Sequence, residues 1–382
     1  MAVELTSEAP MTTESTVKQI NRREFLVQAG GATAILSVMV TGAGLLLKED
    51  GNDLRTTVSL DPEETPEPTP ETMGTSDWNA ALQPAPGTRP EYTPLQDHFR
   101  LDISRSIPHI DEANWRLEVS GLMAEPVSMT LEEIVTGFEA TSKIITMSCI
   151  SNGIGGNMIG TTRWTGVPFH LLLDAWNIDE EATYLKISSI DGFFEYVSID
   201  LIREDERVML AYAWDGQPLE DKYGFPVRIY IPDLYGMKLP KWITHIEVVD
   251  EWEEGYWLKR GWSINAIVEQ TSVIDTIATD DSFDVDGQLF VPIGGIAYAG
   301  AKEISKVEIR FDDGEWVEAR IKDPLSELSW VVWRYDWPFE EGRHKVCVRC
   351  YDGNGTLQIE EGGNREADGK RGANVGLHCE NT

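Results

Sequence analysis

The sequence predicts an α+β domain followed by a β-sandwich, both standing behind a targeting segment and an extended linker. Three observations carry this. Between Tyr92 and about Val249, short strand patterns alternate with helical stretches. From about Glu251 the pattern changes to short alternating strands separated by turn signals such as Asp312-Asp-Gly314 and Asp352-Gly-Asn-Gly355. Upstream, an uncharged apolar run precedes a stretch too rich in proline and acid to bury a core. The resulting division is 1–48 targeting segment, 49–91 linker, 92–250 first domain, 251–376 sandwich and 377–382 tail. A chain of 382 residues has room for these parts.

The N-terminal segment reads Asn21-Arg22-Arg23-Glu24-Phe25-Leu26, then continues without charge from Phe25 to Leu47. It resembles a twin-arginine export signal, and the same run is long enough to span a bilayer as an anchor. Small residues flank Ala43, but no Ala-x-Ala site leads into a clean mature start, which favours retention. The linker, typified by Asp61-Pro-Glu-Glu-Thr-Pro-Glu-Pro-Thr-Pro-Glu71, should stay extended and hold the folded part off a membrane.

In the first domain, Trp115 to Gly121 reads as a strand and Leu131 to Thr136 as a short helix. Lys143 to Ser148 is a strand running into a glycine-rich loop. Pro168 opens an apolar helical run through Trp176, where its missing N–H costs nothing. Val227 to Ile231 and Ile243 to Val249 are strand-like. In the second part, Lys306 to Phe311 and Glu315 to Ile321 form a hairpin, and Ser329 to Trp337 and Arg343 to Tyr351 alternate strongly. Alternation puts Trp333, Tyr335 and Trp337 on one face, where core packing is preferred to an aromatic ligand box.

Charge and cysteine content narrow the function. The 65 acidic against 32 basic residues give a formal charge of -33, which repels polyanions and argues against a nucleic-acid partner. Acid spread along the whole chain, with Lys only 13 of the 32 bases, suits solubility in concentrated salt and suggests a halophilic source; an ordinary acidic surface is the alternative. Four cysteines are too few for a disulfide framework. Cys347 and Cys350 lie three apart in a strand pattern, point to opposite faces, and are expected to be small hydrophobes filling a sheet.

Several catalytic patterns are missing: the Gly-x-Ser-x-Gly elbow, His-Glu-x-x-His, the phosphate loop Gly-x-x-x-x-Gly-Lys and Cys-x-x-Cys-His. Six scattered histidines do not suggest a zinc enzyme. Two segments remain. In Thr146-Met-Ser-Cys-Ile-Ser-Asn-Gly-Ile-Gly-Gly-Asn-Met-Ile-Gly160, Cys149 ends a strand and enters a glycine loop where backbone can approach a ligand. Taken alone, it reads rather as a small buried cysteine beside a turn. The second, Tyr223 to Trp242, concentrates Arg228, Lys238 and Lys241 in an acidic chain; these suit a phosphate, or equally a solvated basic strand and loop.

In order, the two segments give a strand, Cys149, the glycine loop and Trp164-Thr-Gly-Val-Pro168. Gly224-Phe-Pro-Val-Arg228, Tyr235-Gly236 and Lys241-Trp242 follow. Together they resemble the oxidoreductase molybdopterin-binding domain of the sulfite oxidase family, from about His98 to Val249. The sandwich after them resembles that family's dimerisation-type immunoglobulin-like domain.

The resemblance implies that Cys149 ligates molybdenum beside the two dithiolene sulfurs of a pyranopterin. Arg228, Lys238 and Lys241 would hold the pterin and its phosphate, with Tyr223, Tyr235 and Gly236 around it; Tyr223 stands where many members have His. Ser151, Asn152 and Asp191 would add hydrogen bonds. The implied chemistry is oxygen-atom transfer with a small oxo-acceptor or oxo-donor, electrons then passing singly to a separate carrier such as a cytochrome. An exported enzyme at the outer face of the membrane, anchored or released, and a homodimer through the sandwich complete the expectation.

The family's sulfite-binding arginines are replaced here by Ser151-Asn-Gly-Ile-Gly155 and Asp102, with Arg100 and Arg105 nearby. Arg100 and Asp102 are thus the residues expected at the substrate. Tyr256-Trp-Leu-Lys-Arg-Gly-Trp262 offers Lys259 where those enzymes have a tyrosine. A sulfoxide-type reductase of the same fold and a non-catalytic, membrane-anchored binding protein are the alternatives.

Overall fold

A computed structural model describes residues 82–367 and 369–382. The targeting segment and the linker through residue 81 lie outside the described residues. The first half begins with an antiparallel pair, β1 (Leu117–Gly121) and β2 (Val127–Met129), followed by helix α1 (Leu131–Gly137). The Thr130 hydroxyl accepts from the Glu133 N–H while the Glu133 carboxylate accepts from the Thr130 N–H, a reciprocal cap that starts the helix. Strands β3 (Thr141–Ser148) and β4 (Ile159–Pro168) pair across the glycine loop, and helix α2 (Phe169–Trp176) starts directly after Pro168. Then come β5 (Tyr184–Ser189), β6 (Phe194–Ser198), α3 (Ile199–Glu204), β7 (Met209–Trp214), β8 (Gln217–Pro218), β9 (Arg228–Tyr230) and β10 (Ile243–Val249).

These strands make two five-stranded sheets. One has the order β2-β1-β10-β5-β6, with β1 and β10 parallel; the other has β3-β4-β7-β8 with β9 added to β7.

The second half is entirely strand among its longer elements: β11 (Thr271–Ile277), β12 (Phe283–Val285), β13 (Gln288–Tyr298), β14 (Ile304–Phe311), β15 (Val317–Ile321), β16 (Val331–Pro338), β17 (Lys345–Asp352), β18 (Gly363–Ala367), β19 (Lys370–Val375) and β20 (His378–Asn381). Eight of them form one antiparallel sheet, β11-β13-β16-β15-β14-β17-β20 with β12 on β13, which folds over so that β11 lies beside β17. Ile293, Val307, Ile309, Trp333, Val346 and Val348 fill the interior. Trp333 and Trp337 belong to that core and Tyr335 packs against it, as the alternation predicts. A second core joins the halves, with Ile150, Ile159, Tyr235 and Met237 packed against Val273, Ile296, Trp330 and Val332.

Four expectations change. The fold is mostly β, its α-helices being only six to eight residues long, so the helical share implied by an α+β first half is small. Residues 82–91 are not linker: Leu82 and Ala85 are buried, Arg89 pairs with Asp275 at 2.6 Å, and the Trp330 indole donates to the Glu91 carbonyl. Residues 377–382 are not a loose tail, because β20 pairs with β17. That pairing sets Cys379 opposite Cys347, and the two form a disulfide, so Cys347 is no free hydrophobe. Cys350, on the other face, is buried and free as expected.

Candidate active site

Cys149 leaves the end of β3 and is 4% exposed. Its N–H donates to the Met158 carbonyl (3.0 Å), and the Asn152 side chain accepts from the Met158 N–H (3.0 Å), so the loop closes on itself. Gly156 packs where a Cβ would strike the Asn152 carboxamide, which is why the loop needs glycine there. The second half grips this segment from two sides. Tyr298 donates to the Thr146 carbonyl (2.8 Å), and the Asn374 carboxamide donates to the Asn152 carbonyl (3.0 Å). The thiol sulfur lies 3.1 Å from the Ser151 hydroxyl.

Arg228, at the head of β9, is 2% exposed. One terminal nitrogen donates to the Tyr223 carbonyl (2.9 Å), the other to the Met147 sulfur (3.4 Å), and the guanidinium lies over the rings of Trp164 and Trp214. Its Nε is buried without a partner, and no carboxylate pairs with it among the described residues. Burial pushes Arg228 down to about 9, so it stays charged at neutral pH. An uncompensated buried cation is costly unless an anion joins it. The turn before it brings Lys241 close: Gly224, at φ +111°, faces the Lys241 side chain so tightly that a Cβ would clash at 2.9 Å. Burial, and then Arg100, push Lys241 down to about 7, and its Nζ contacts the Asp102 carboxylate.

These groups meet in one cavity, whose empty space is about 820 Å³ with the open solvent at its mouth included. Of the residues expected at the site, it is lined by Cys149, Ser151, Asp191, Tyr223, Arg228, Gly236, Lys241, Arg100 and Asp102. Burial raises the Asp191 carboxyl. Tyr223 turns its hydroxyl away from solvent to donate to the carbonyls of Leu95 and His98, fixing the segment that carries Arg100 and Asp102.

Three expected residues are placed differently. Lys238 faces a second, solvent-open cleft and pairs with Glu195 at 2.9 Å. Asn152 serves the loop, and the Tyr235 hydroxyl accepts from the Glu269 N–H (3.1 Å).

Sequence reasoning missed Met147, Phe99, Phe193 and Trp242, and also Trp257 and Trp262, which reach the cavity from beyond the first domain. The tryptophan spacing after Tyr256 was the available signal. Asn374, 222 residues from its partner, had none.

A cavity with a single thiol and an uncompensated guanidinium suits an anionic cofactor that brings its own metal ligands. No group of three or more His, Cys, Asp or Glu able to hold a metal occurs among the described residues, so most ligands would have to come from such a cofactor.

Comparison with known proteins agrees with this chemistry. Residues 104–257 match the family described as oxidoreductase molybdopterin binding domain. A nitrate reductase [NAD(P)H] of Hordeum vulgare is 26% identical over 324 residues, covering 68% of this chain and 36% of that protein. A putative protein-methionine-sulfoxide reductase subunit, YedZ1, of Azospira oryzae is 32% identical over 158 residues, 41% of this chain and 57% of that one. The chain therefore spans only about a third to three fifths of these relatives. The sulfane dehydrogenase SoxCD of Paracoccus pantotrophus has a similar fold, with a TM-score of 0.64 at 19% identity over 86% of this chain and 92% of that one.

Proposed function

Because residues 104–257 match the oxidoreductase molybdopterin binding domain family, we propose that this chain belongs to the sulfite oxidase family of molybdopterin-binding oxidoreductases and carries out oxygen-atom transfer at a molybdenum centre ligated by the Cys149 sulfur. The observation that carries the proposal is the meeting, in one cavity, of Cys149 with a fully buried guanidinium that no carboxylate among the described residues neutralises. When bound, the molybdopterin supplies the oxygen-atom and two-electron chemistry. The protein's part would be to present the thiolate on a loop braced by Met158, Asn152 and Asn374, and to hold Arg228 toward the cofactor's anionic groups, with Lys241 beside it in contact with Asp102. The aromatic walls from Trp242, Trp257 and Trp262 limit water around it.

Electrons pass to a separate carrier such as a cytochrome. The substrate is a small oxo-acceptor or oxo-donor. The chain is exported by the twin-arginine route and works at the outer face of the membrane, held by its N-terminal segment or released; Arg22-Arg23 and the Cys347–Cys379 disulfide, a bond suited to oxidising compartments, support this reading. The sandwich acts as the immunoglobulin-like dimerisation domain of a halophile's enzyme, the latter supported by the charge of -33.

Metal analysis of wild type and Cys149→Ser made in a molybdate-replete host tests the core of the proposal. Wild type should hold near one molybdenum per chain, and the variant should lose metal and oxygen-transfer activity by at least about tenfold. Metal-free wild type would sink it. Assays with sulfite and with sulfoxides, run in both redox directions at high salt, then fix the direction.

A further inference from the structure

Asp102 places a carboxylate in the wall of the Cys149 cavity, its side chain only 3% exposed. It contacts two cations at once, the Arg100 Nε and the Lys241 Nζ, both from residues that line the same cavity. Arg100 is an exposed residue and Lys241 a partly buried one, so both are less deeply buried than the third cation of the lining. The remaining cation, Arg228, is more deeply buried and is held by the Tyr223 carbonyl, the Met147 sulfur and two indole rings. Asp191 is a second acid on the lining, which besides Ser151 and Ser189 is largely apolar and aromatic, with Phe99, Phe193, Trp257 and Trp262.

With Arg228 engaged by the cofactor's anionic groups, an inorganic oxyanion entering here would shed water and find only Arg100 and Lys241, both already in contact with the Asp102 carboxylate. A neutral molecule with one polar oxygen and an apolar body pays neither cost. We propose that Asp102 is a specificity-determining residue: by neutralising Arg100 and Lys241 it selects an uncharged oxo compound, of the sulfoxide or N-oxide class, over oxyanions such as sulfite or nitrate. This rests on the Cys149 cavity being the reaction site.

Calorimetric titration of the molybdenum-loaded full chain, without reductant so that no turnover occurs, separates the two classes with sulfate and methyl phenyl sulfoxide as probes. Wild type is expected to bind the sulfoxide at least about tenfold more tightly than sulfate. Asp102→Asn, which keeps the shape and removes the charge, should tighten sulfate by about tenfold or more and leave the sulfoxide within about twofold. Arg100→Gln should bring no gain in sulfate binding. Wild type that binds sulfate as well as the sulfoxide overturns the proposal, as does an Asp102→Asn protein that carries metal yet shows unchanged sulfate affinity. If Asp102→Asn fails to fold, the wild-type pair of titrations decides alone. Wild type without molybdenum counts against the Cys149 assignment, whereas loaded wild type with the wrong preference counts only against the role of Asp102.

Discussion

His98 sits beside the site as one of the most constrained residues in the chain. Its ring contacts Phe99, Trp214 and Tyr223, its Nδ1 lies 3.1 Å from the Phe99 carbonyl, and its Nε2 is buried without a partner against Gly160. Burial pushes its pKa down to about 4 from about 6.5. The folded state thus resists protonation that the unfolded chain accepts. Its contribution is complete above about pH 6.5 and is lost as the pH falls towards 4, about 3 kcal/mol in all and about 2 of it between pH 7 and 5. Urea unfolding at those two pH values should show His98→Phe less sensitive to acid than wild type by about that amount; equal sensitivity would refute the assignment. At this scale, the convergence of Cys149, Arg228 and Lys241 on one cavity was legible because they sit in ordered motifs with glycine and proline around them. Lys238 was misplaced for a local reason: the short 3-10 turn Gly236–Lys238 divides the two clefts, and one residue of rotation decides which cleft a side chain enters.

Among the elements, those fixed by near neighbours were readable and those fixed by distant partners were not. The β14–β15 hairpin carries its turn between its strands, and α2 carries its own start signal in Pro168. The strand character of β20 comes only from pairing with β17, which places His378 to Asn381 opposite Lys345 to Val348. The same pairing brings Cys379 to Cys347 with Cα atoms 4.2 Å apart, a consequence no spacing rule announces. Closing a loop across a sequence separation of 32 restricts the unfolded chain, an effect of about 4 kcal/mol. The Cys347→Ser/Cys379→Ser double variant should lose up to that much in denaturant unfolding, and thiol titration of denatured, unreduced wild type should count two thiols. Four thiols would remove the bond from the native protein.

For the whole molecule, acid dominates every other term. A formal charge of -33 on 382 residues repels itself in the compact state. The pairs that oppose it are mostly at the surface, such as Lys143 with Glu327 and Lys186 with Glu247, and pairs of that kind contribute little each. Stability should therefore depend on salt in a direction opposite to a protein held by surface ion pairs. Screening shortens the reach of charge from about 10 Å at 0.1 M to about 3 Å at 1 M, which weakens repulsion across the surface more than contact pairs. Relief of a few kcal/mol should raise the thermal midpoint by roughly 10 °C between 0.1 and 2 M KCl. Sucrose provides the control, since it strengthens burial by exclusion without screening charge. If repulsion is the cause, KCl should act most strongly on the wild type and progressively less on variants in which exposed acids such as Glu251 and Glu253 become Gln. Sucrose should act on all of them alike. A midpoint that falls with KCl would mean that the ion pairs outweigh the acidic excess.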